Sequence, residues 1–278
     1  MDFSKLIDSA KEGSKESLEK IVSEIQDNIY GLALRMLYNP FDAKDATQEI
    51  LIKVITSLNS FKGESLFTTW VYRIAANYIM RLKQVKKKNA LTFLEYEESL
   101  ELESSERWKQ PETDFEDKTY LDEIRISCLQ GLLLCLSREL RITYLLVDIF
   151  DVNSTEGAKI LSISPTAFRK RLSRAREKLQ SFLFKNCSLI KQTNLCKCGY
   201  HVSTQLNSSR FESKNILFAN LPVRNIDKPN PGMLINEMDE LNQIGYLFKT
   251  NPHVKAPDKL NNIIREIIES DRFTFFNN

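Results

Sequence analysis

Four groups of side chains in this 278-residue chain have types and spacings that could do chemistry. Asp45, Gln48, Glu49 and Ile52 fall on one helical face, opposite a stripe of Ala43, Ala46, Ile50, Val54 and Leu58. Two carboxylates, an amide and an isoleucine over two turns read as a docking surface, since a merely wet face would more often mix in lysines four residues away. Thr69, Trp70, Arg73, Asn77 and Gln84 stand away from a second stripe of Val71, Ile74, Ala75, Tyr78, Ile79 and Leu82. An aromatic ring, a guanidinium and hydrogen-bonding side chains are what the reading of unpaired bases requires. Residues 62–88 hold seven bases and one acid, a net of +6 that can neutralise phosphates and that the overall +2 hides. Thr166, Ala167, Arg169 and Lys170 open a second basic helix that continues through Arg171, Arg174 and Arg176. Finally, Cys187, Cys196, Cys198 and His201 lie within fifteen residues in the pattern C-x8-C-x-C-x2-H.

Helices must position each group. Residues 3–10 and 17–38 read as amphipathic, the second burying Leu18, Ile21, Val22, Ile25, Ile29, Leu32, Ala33, Met36 and Leu37 before Asn39-Pro40 stops it. A helix over 42–58 and another over 66–88, joined through Phe61-Lys62-Gly63-Glu64-Ser65, complete a bundle. Between 95 and 117 ten acids face two bases with no sustained period, which marks a linker, by composition a solvated spacer that keeps two domains apart. A second apolar set, Leu121 to Ile149, precedes a helix-turn-helix. Asn153 and Glu156 cap its first helix, Ser162-Ile163 turn, Ser164 caps the second, and Pro165 takes that helix's first position. The start of such a second helix reaches base edges in the major groove, while its later bases hold phosphates.

Composition agrees with this organisation. The chain is 42% apolar and 27% charged, with eight glycines and eight prolines, as befits two or three small, mostly helical domains. No uncharged apolar run of about eighteen residues is present and residues 1–20 alternate charge too freely for a signal peptide, so a cytosolic protein without a membrane partner is expected. Five cysteines in such a chain do not form a disulfide framework, and Cys128 and Cys135 belong to the core run CLQGLLLC. The tail set Cys187, Cys196, Cys198 and His201 suits zinc or copper(I), or else holds free thiols. No nucleophile–base pair or phosphate-cradling glycine loop is visible, so an enzyme is not expected.

The run DAKDATQEILIKVITSLNSFKGESLFTTWVYRIAANYIMRLKQVKKK resembles region two of the extracytoplasmic-function (ECF) sigma factors of bacterial RNA polymerase, filling D-x-x-Q-E, F-[KR]-G-[ED]-S and T-W-[LV]-[YF]-R-I-A-x-N. Ile29 to Arg35 extends it upstream, and LSRELR, LLVDIF and STEGAKILSISPTAFRKRLSRAREKL are similar to region four. The resemblance implies that Asp45, Gln48, Glu49 and Ile52 contact core RNA polymerase, and that Lys62, Phe67, Thr69, Trp70, Arg73 and Asn77 face the minus-ten promoter element. It further implies that Thr166, Ala167, Arg169, Lys170, Arg171, Arg174 and Arg176 bind the minus-thirty-five element, and that the acidic linker threads through polymerase. Ser162 stands where the family has glycine, and Lys170 where it has a small residue.

These readings give an all-α sigma factor with region two over 1–90, an acidic linker over 91–119, region four over 120–186 and a cysteine-containing extension over 187–278. No cofactor is required. The competing reading is a metal-responsive helix-turn-helix regulator acting without polymerase. In the extension, amphipathic helices over 233–248 and 257–270 cannot bury their stripes alone, the second carrying Leu260, Ile263, Ile264, Ile267 and Ile268. They should dock on the chain's own domains, on a second copy or on another protein, either as a built-in inhibitor in place of an anti-sigma protein or as a buttress.

Overall fold

The computed structural model describes residues 3–82, 92–98, 100, 118–194, 196–207, 218–219, 221–222, 240–249 and 254–269. Eleven helices are named here: α1 (Ser4–Lys11), α2 (Lys15–Leu37), α3 (Pro40–Thr56), α4 (Phe67–Arg81), α5 (Lys118–Cys135), α6 (Arg138–Tyr144), α7 (Ser154–Ile160), α8 (Pro165–Asn186), α9 (Cys198–Asn207), α10 (Glu240–Lys249) and α11 (Asp258–Glu269). Among the described residues there is no strand, only an isolated bridge between Cys187 and Cys196, so the all-α expectation holds.

The chain forms two compact units that alternate along the sequence. Met1–Lys83, Val152–Phe168 and His253–Asn278 make one; Gln84–Asp151 and Arg169–Pro252 make the other. Within the first unit α7 packs on α4, and α11 packs on α2 and α3.

In the first unit α2 forms the centre, with Leu18, Ile21, Val22, Ile25, Ile29, Leu32, Ala33 and Met36 buried as its periodicity requires, whereas Leu37 is half-buried. Ser14 caps α2 by accepting from Ser17 N at 3.2 Å, and Tyr38 ends it in the left-handed region. Asn39 Oδ1 accepts from the amides of Phe41 (2.8 Å) and Asp42 (3.3 Å), which starts α3 at Pro40. Ala43, Ala46, Ile50 and Val54 of α3 are buried. From the extension, Leu260, Ile264 and Ile268 of α11 are buried as well. Ala256 N donates to Asp27 Oδ1 at 2.9 Å and Arg265 lies 3.6 Å from Glu19, so α11 joins this core. The side chains of Ile263 and Ile267, the start of the helix expected from 233 and the lysine run 86–88 lie outside the described residues.

In the second unit α5 and α6 meet through Arg141, a buried guanidinium that donates to the carbonyls of Leu133 (2.7 Å), Leu134 and Leu136 (both 3.1 Å) and so satisfies the end of α5. A π-helical segment, Leu145–Ile149, continues α6. Part of the expected linker is ordered as a helical turn over 93–98. Thr92 and Glu95 cap it reciprocally, Phe93 and Tyr96 stack on Phe182, and Glu97 pairs with Lys185 at 2.9 Å. Residues 101–117 lie outside the described set.

The extension is fastened to this unit too. Glu123 is buried, and its Oε2 accepts from the amides of Phe218 (2.8 Å) and Ala219 (2.7 Å). Phe248 of α10 stacks edge-on against Tyr144 with centroids 5.5 Å apart, and Lys249 reaches Asp151 at 2.6 Å. Of the docking partners left open by the sequence, the chain's own two units are the ones occupied.

Candidate polymerase and promoter faces

The first face lies on α3. Asp45 and Glu49 are exposed and Gln48 and Ile52 half-buried, all on the side away from the buried stripe. Phe41, one turn before Asp45, is 75% exposed and falls on the same side. Sequence reasoning missed it, because the letter Phe in a helix normally signals core. Tyr78, expected in the core, is half-buried and borders this face. Burial, then the carboxylates of Glu49 and Asp45, hold its phenol above the usual range, and Lys53 Nζ lies 5.7 Å from its ring centroid. With α11 packed on α2 and α3, this acidic and aromatic face remains exposed.

The second face is centred on α4 and the loop before it. Gly63 takes φ 75°, a backbone conformation open to glycine, and Lys62 beside it is exposed. Trp70 is half-buried, while Arg73 and Asn77, three and seven residues on, are exposed along the same side. Two of the expected DNA-facing residues are placed otherwise. Phe67 is 5% exposed and sits among Phe3, Phe61 and Trp70 at centroid distances of 5.0, 5.4 and 5.8 Å, so it supports the Trp70 ring from beneath. Thr69 is 6% exposed, on a flank it shares with Tyr72 and Ala76. A single apolar stripe did not foresee that α4 is buried on a second flank as well; α7 packs on α4 in the same unit. Lys11 fixes the loop from the other side, donating to Phe61 O at 2.7 Å.

The third face is the helix-turn-helix of α7 and α8. Asn153 Oδ1 accepts from Glu156 N at 2.9 Å, Ser164 Oγ from Ala167 N at 3.2 Å, and Ser162 turns the chain at φ 54°, as the caps and turn in the sequence require. The two helices touch where Gly157 meets Phe168: a Cβ on Gly157 would lie 2.3 Å from the Phe168 ring. Thr166, Arg169, Lys170 and Arg174 share one exposed side of α8, with Ala167 half-buried at its margin. The later arginines differ from a uniform phosphate-binding row. Arg176 makes a forked pair with Asp148, Nη2 to Oδ1 at 2.9 Å and Nε to Oδ2 at 3.1 Å. Arg171 is half-buried near Glu139, whose carboxyl is held low chiefly by its own backbone amide and further by Ser137 and Arg171.

The tail residues Cys187, Cys196, Cys198 and His201 all belong to the second unit. Cys196 Sγ lies 3.3 Å from His201 Nε2, and Cys187 faces Cys196 across the bridge. Among the described residues no three histidine, cysteine or carboxylate side chains form a set that could hold a metal ion. Nor is any described helix long and apolar enough to cross a membrane.

Comparison with known proteins matches these elements to one family. The sigma-70 region 2 model covers residues 21–89 and the sigma-70 region 4 model residues 126–179. The chain is similar to the ECF RNA polymerase sigma factor SigW of Bacillus subtilis, 30% identical over 186 residues that span 66% of this chain and 97% of that one. It is also similar to the ECF factor SigE of Mycolicibacterium smegmatis, 27% identical over 64% of this chain and 65% of that one. Among solved structures it resembles CnrH in complex with the cytosolic domain of CnrY, at 20% identity and a TM-score of 0.47 over 64% of this chain and 95% of that one. A relative matched over nearly its whole length, with both promoter-region models placed on the bundle and on the helix-turn-helix, establishes that the chain belongs to the ECF family of RNA polymerase sigma factors.

Proposed function

We propose that this sigma factor docks core RNA polymerase through the α3 face of Phe41, Asp45, Gln48, Glu49 and Ile52. Lys62, Trp70, Arg73 and Asn77 then capture unpaired bases of the downstream promoter element, and Thr166, Ala167, Arg169 and Lys170 read the upstream one, with Arg174 on phosphate. It supplies recognition and DNA opening in the cytoplasm and performs no catalytic step of its own. The observation that carries this reading is the α3 face: two exposed carboxylates flanked by an exposed phenylalanine and a half-buried isoleucine suit a basic helical partner with an apolar edge. The C-terminal extension acts as a buttress, a reading supported by the burial of Ile244, Leu247 and Phe248 on α10 and of Leu260, Ile264 and Ile268 on α11, while Asp45, Glu49, Arg169 and Lys170 stay exposed. A regulator acting without polymerase has no use for the α3 face, and neither family match favours it.

The test is a pull-down of core polymerase by the full chain. Asp45→Lys with Glu49→Lys reverses the charge of the face without touching the buried stripe, so helical content should persist while polymerase retention falls at least about tenfold; Phe41→Ala should lower it severalfold. Unchanged retention in both variants would remove α3 from the interface.

A further inference from the structure

The aromatic platform of the first unit is held from α1, a helix that belongs to neither the docking face nor the promoter faces. Phe61 and Trp70 are half-buried with ring centroids 5.4 Å apart, and they rest on the buried Phe67 at 5.4 and 5.8 Å. Between them runs an open loop. Lys62, Gly63, Glu64 and Leu66 are exposed, Gly63 takes φ 75°, and α4 begins at Leu66 without a side-chain cap. A loop of this kind keeps one conformation only where something outside it fixes the chain.

α1 supplies that restraint. Its own seat is firm: Ile7 and Ala10 are buried, and the helix packs on α2 and on the short 3-10 turn Leu58–Ser60 that leads into the loop. From its last turn the half-buried Lys11 donates from Nζ to Phe61 O at 2.7 Å and stands 5.9 Å from the centroid of the same residue's ring. One ammonium thus fixes Phe61 at its backbone and at its ring, by a charge-assisted hydrogen bond and a cation–π contact. At the other end of the helix Phe3 meets Phe67 at 5.0 Å, so both rings that carry Trp70 are braced from α1.

We propose that Lys11 is a positioning residue for promoter opening: through Phe61 it holds the Trp70 ring at the angle that stacks on an unpaired base. The inference rests on the reading of α4 as the downstream promoter reader, and it adds an element that precedes the residues matched to region two. Stacking favours a ring already in place, because a ring that must first be ordered loses part of the contact energy to its own immobilisation. The ammonium acts on the ring rather than on DNA, so its effect is confined to the step in which bases leave the duplex. Docking through α3 and reading through α8 do not depend on it.

The experiment compares the full-length protein with its Lys11→Met, Lys11→Arg and Trp70→Ala variants, each bound to core polymerase, on a promoter duplex selected from a random pool by the wild-type complex. Polymerase retention, binding of the unopened duplex at low temperature and the rate at which thymines become reactive to permanganate are measured side by side. Lys11→Met should leave the first two unchanged and slow opening about tenfold, within what the stacking of one base is worth. Lys11→Arg, which can donate to the same carbonyl, should restore most of the rate. In a Trp108→Phe background, where Trp70 is the remaining tryptophan, Lys11→Met should also raise acrylamide quenching of the free protein's fluorescence. Opening at the wild-type rate by Lys11→Met, or unchanged quenching, would overturn the proposal. A parallel loss of polymerase retention or duplex binding would overturn it too, since Lys11 would then be a structural residue. Normal opening by Trp70→Ala would instead refute base capture by that ring, and this inference with it. Lys11→Gln carries the same test if Lys11→Met fails to fold.

Discussion

Arg176 of α8 lies 2.9 Å from Asp148 of the π-helical segment, and this pair, 28 residues apart in sequence, fastens the promoter-reading helix to the scaffold behind it. Asp148 is mostly buried, and burial raises its carboxyl even though Arg176 pulls it down, so the pair is held at some cost in desolvation. Arg176 is thereby drawn away from the role of a phosphate contact. Arg176→Ala should lower unfolding free energy by about 1–2 kcal/mol while leaving the salt dependence of promoter binding unchanged. Arg174→Ala, on the exposed side, should leave stability unchanged and reduce the salt slope by about one unit. Thermal melts and binding titrations over a range of salt separate the two; equal slopes for both variants would return Arg176 to the DNA face.

The turn of the helix-turn-helix makes opposite predictions for two small residues. Ser162 holds φ 54° without glycine's freedom, so Ser162→Gly should stabilise the protein by up to about 1 kcal/mol. Gly157→Ala would drive a methyl into the Phe168 ring and should cost about 1–3 kcal/mol, part of which a smaller Phe168→Leu partner restores. Chemical denaturation of the three variants is sufficient, and a neutral Gly157→Ala would mean that α7 and α8 are less closely packed than described.

Much of this molecule can be read from local pattern, and what cannot is long-range. The stripes of α2 and α3, the caps Asn153 and Ser164 and the turn at Ser162 follow from spacings of three and four and from short-range hydrogen bonding, so their letters suffice. Thr69 looked free because its burial depends on a flank of α4 outside its own apolar stripe, while α7, which packs on α4, enters the chain more than seventy residues later. Glu123 and Phe218, 95 residues apart, carry no shared signature, and only the fold brings that carboxylate to those amides. Phe41 shows the converse limit: an exposed aromatic and a buried one are the same letter, and solvent exposure is what distinguishes them.

The extension should behave as a support. Leu260→Ala or Ile264→Ala removes a fully buried side chain from α11 and should cost about 2–5 kcal/mol, with no gain in polymerase binding. Melting followed by circular dichroism, run beside the polymerase pull-down, reads both quantities. Tighter polymerase binding by either variant would instead assign α11 an inhibitory role.

The central claim, that this chain opens promoters only as a subunit of RNA polymerase, is tested most directly by permanganate footprinting of a promoter duplex selected from a random pool by the polymerase-bound protein. Thymines of the downstream element should become reactive with protein and core polymerase together, with neither alone, and not with the Trp70→Ala variant, while Thr69→Ala retains most of the reactivity because that side chain is buried. Tight, sequence-specific binding of the duplex by the protein without polymerase, or normal opening by the Trp70→Ala variant, would contradict the account.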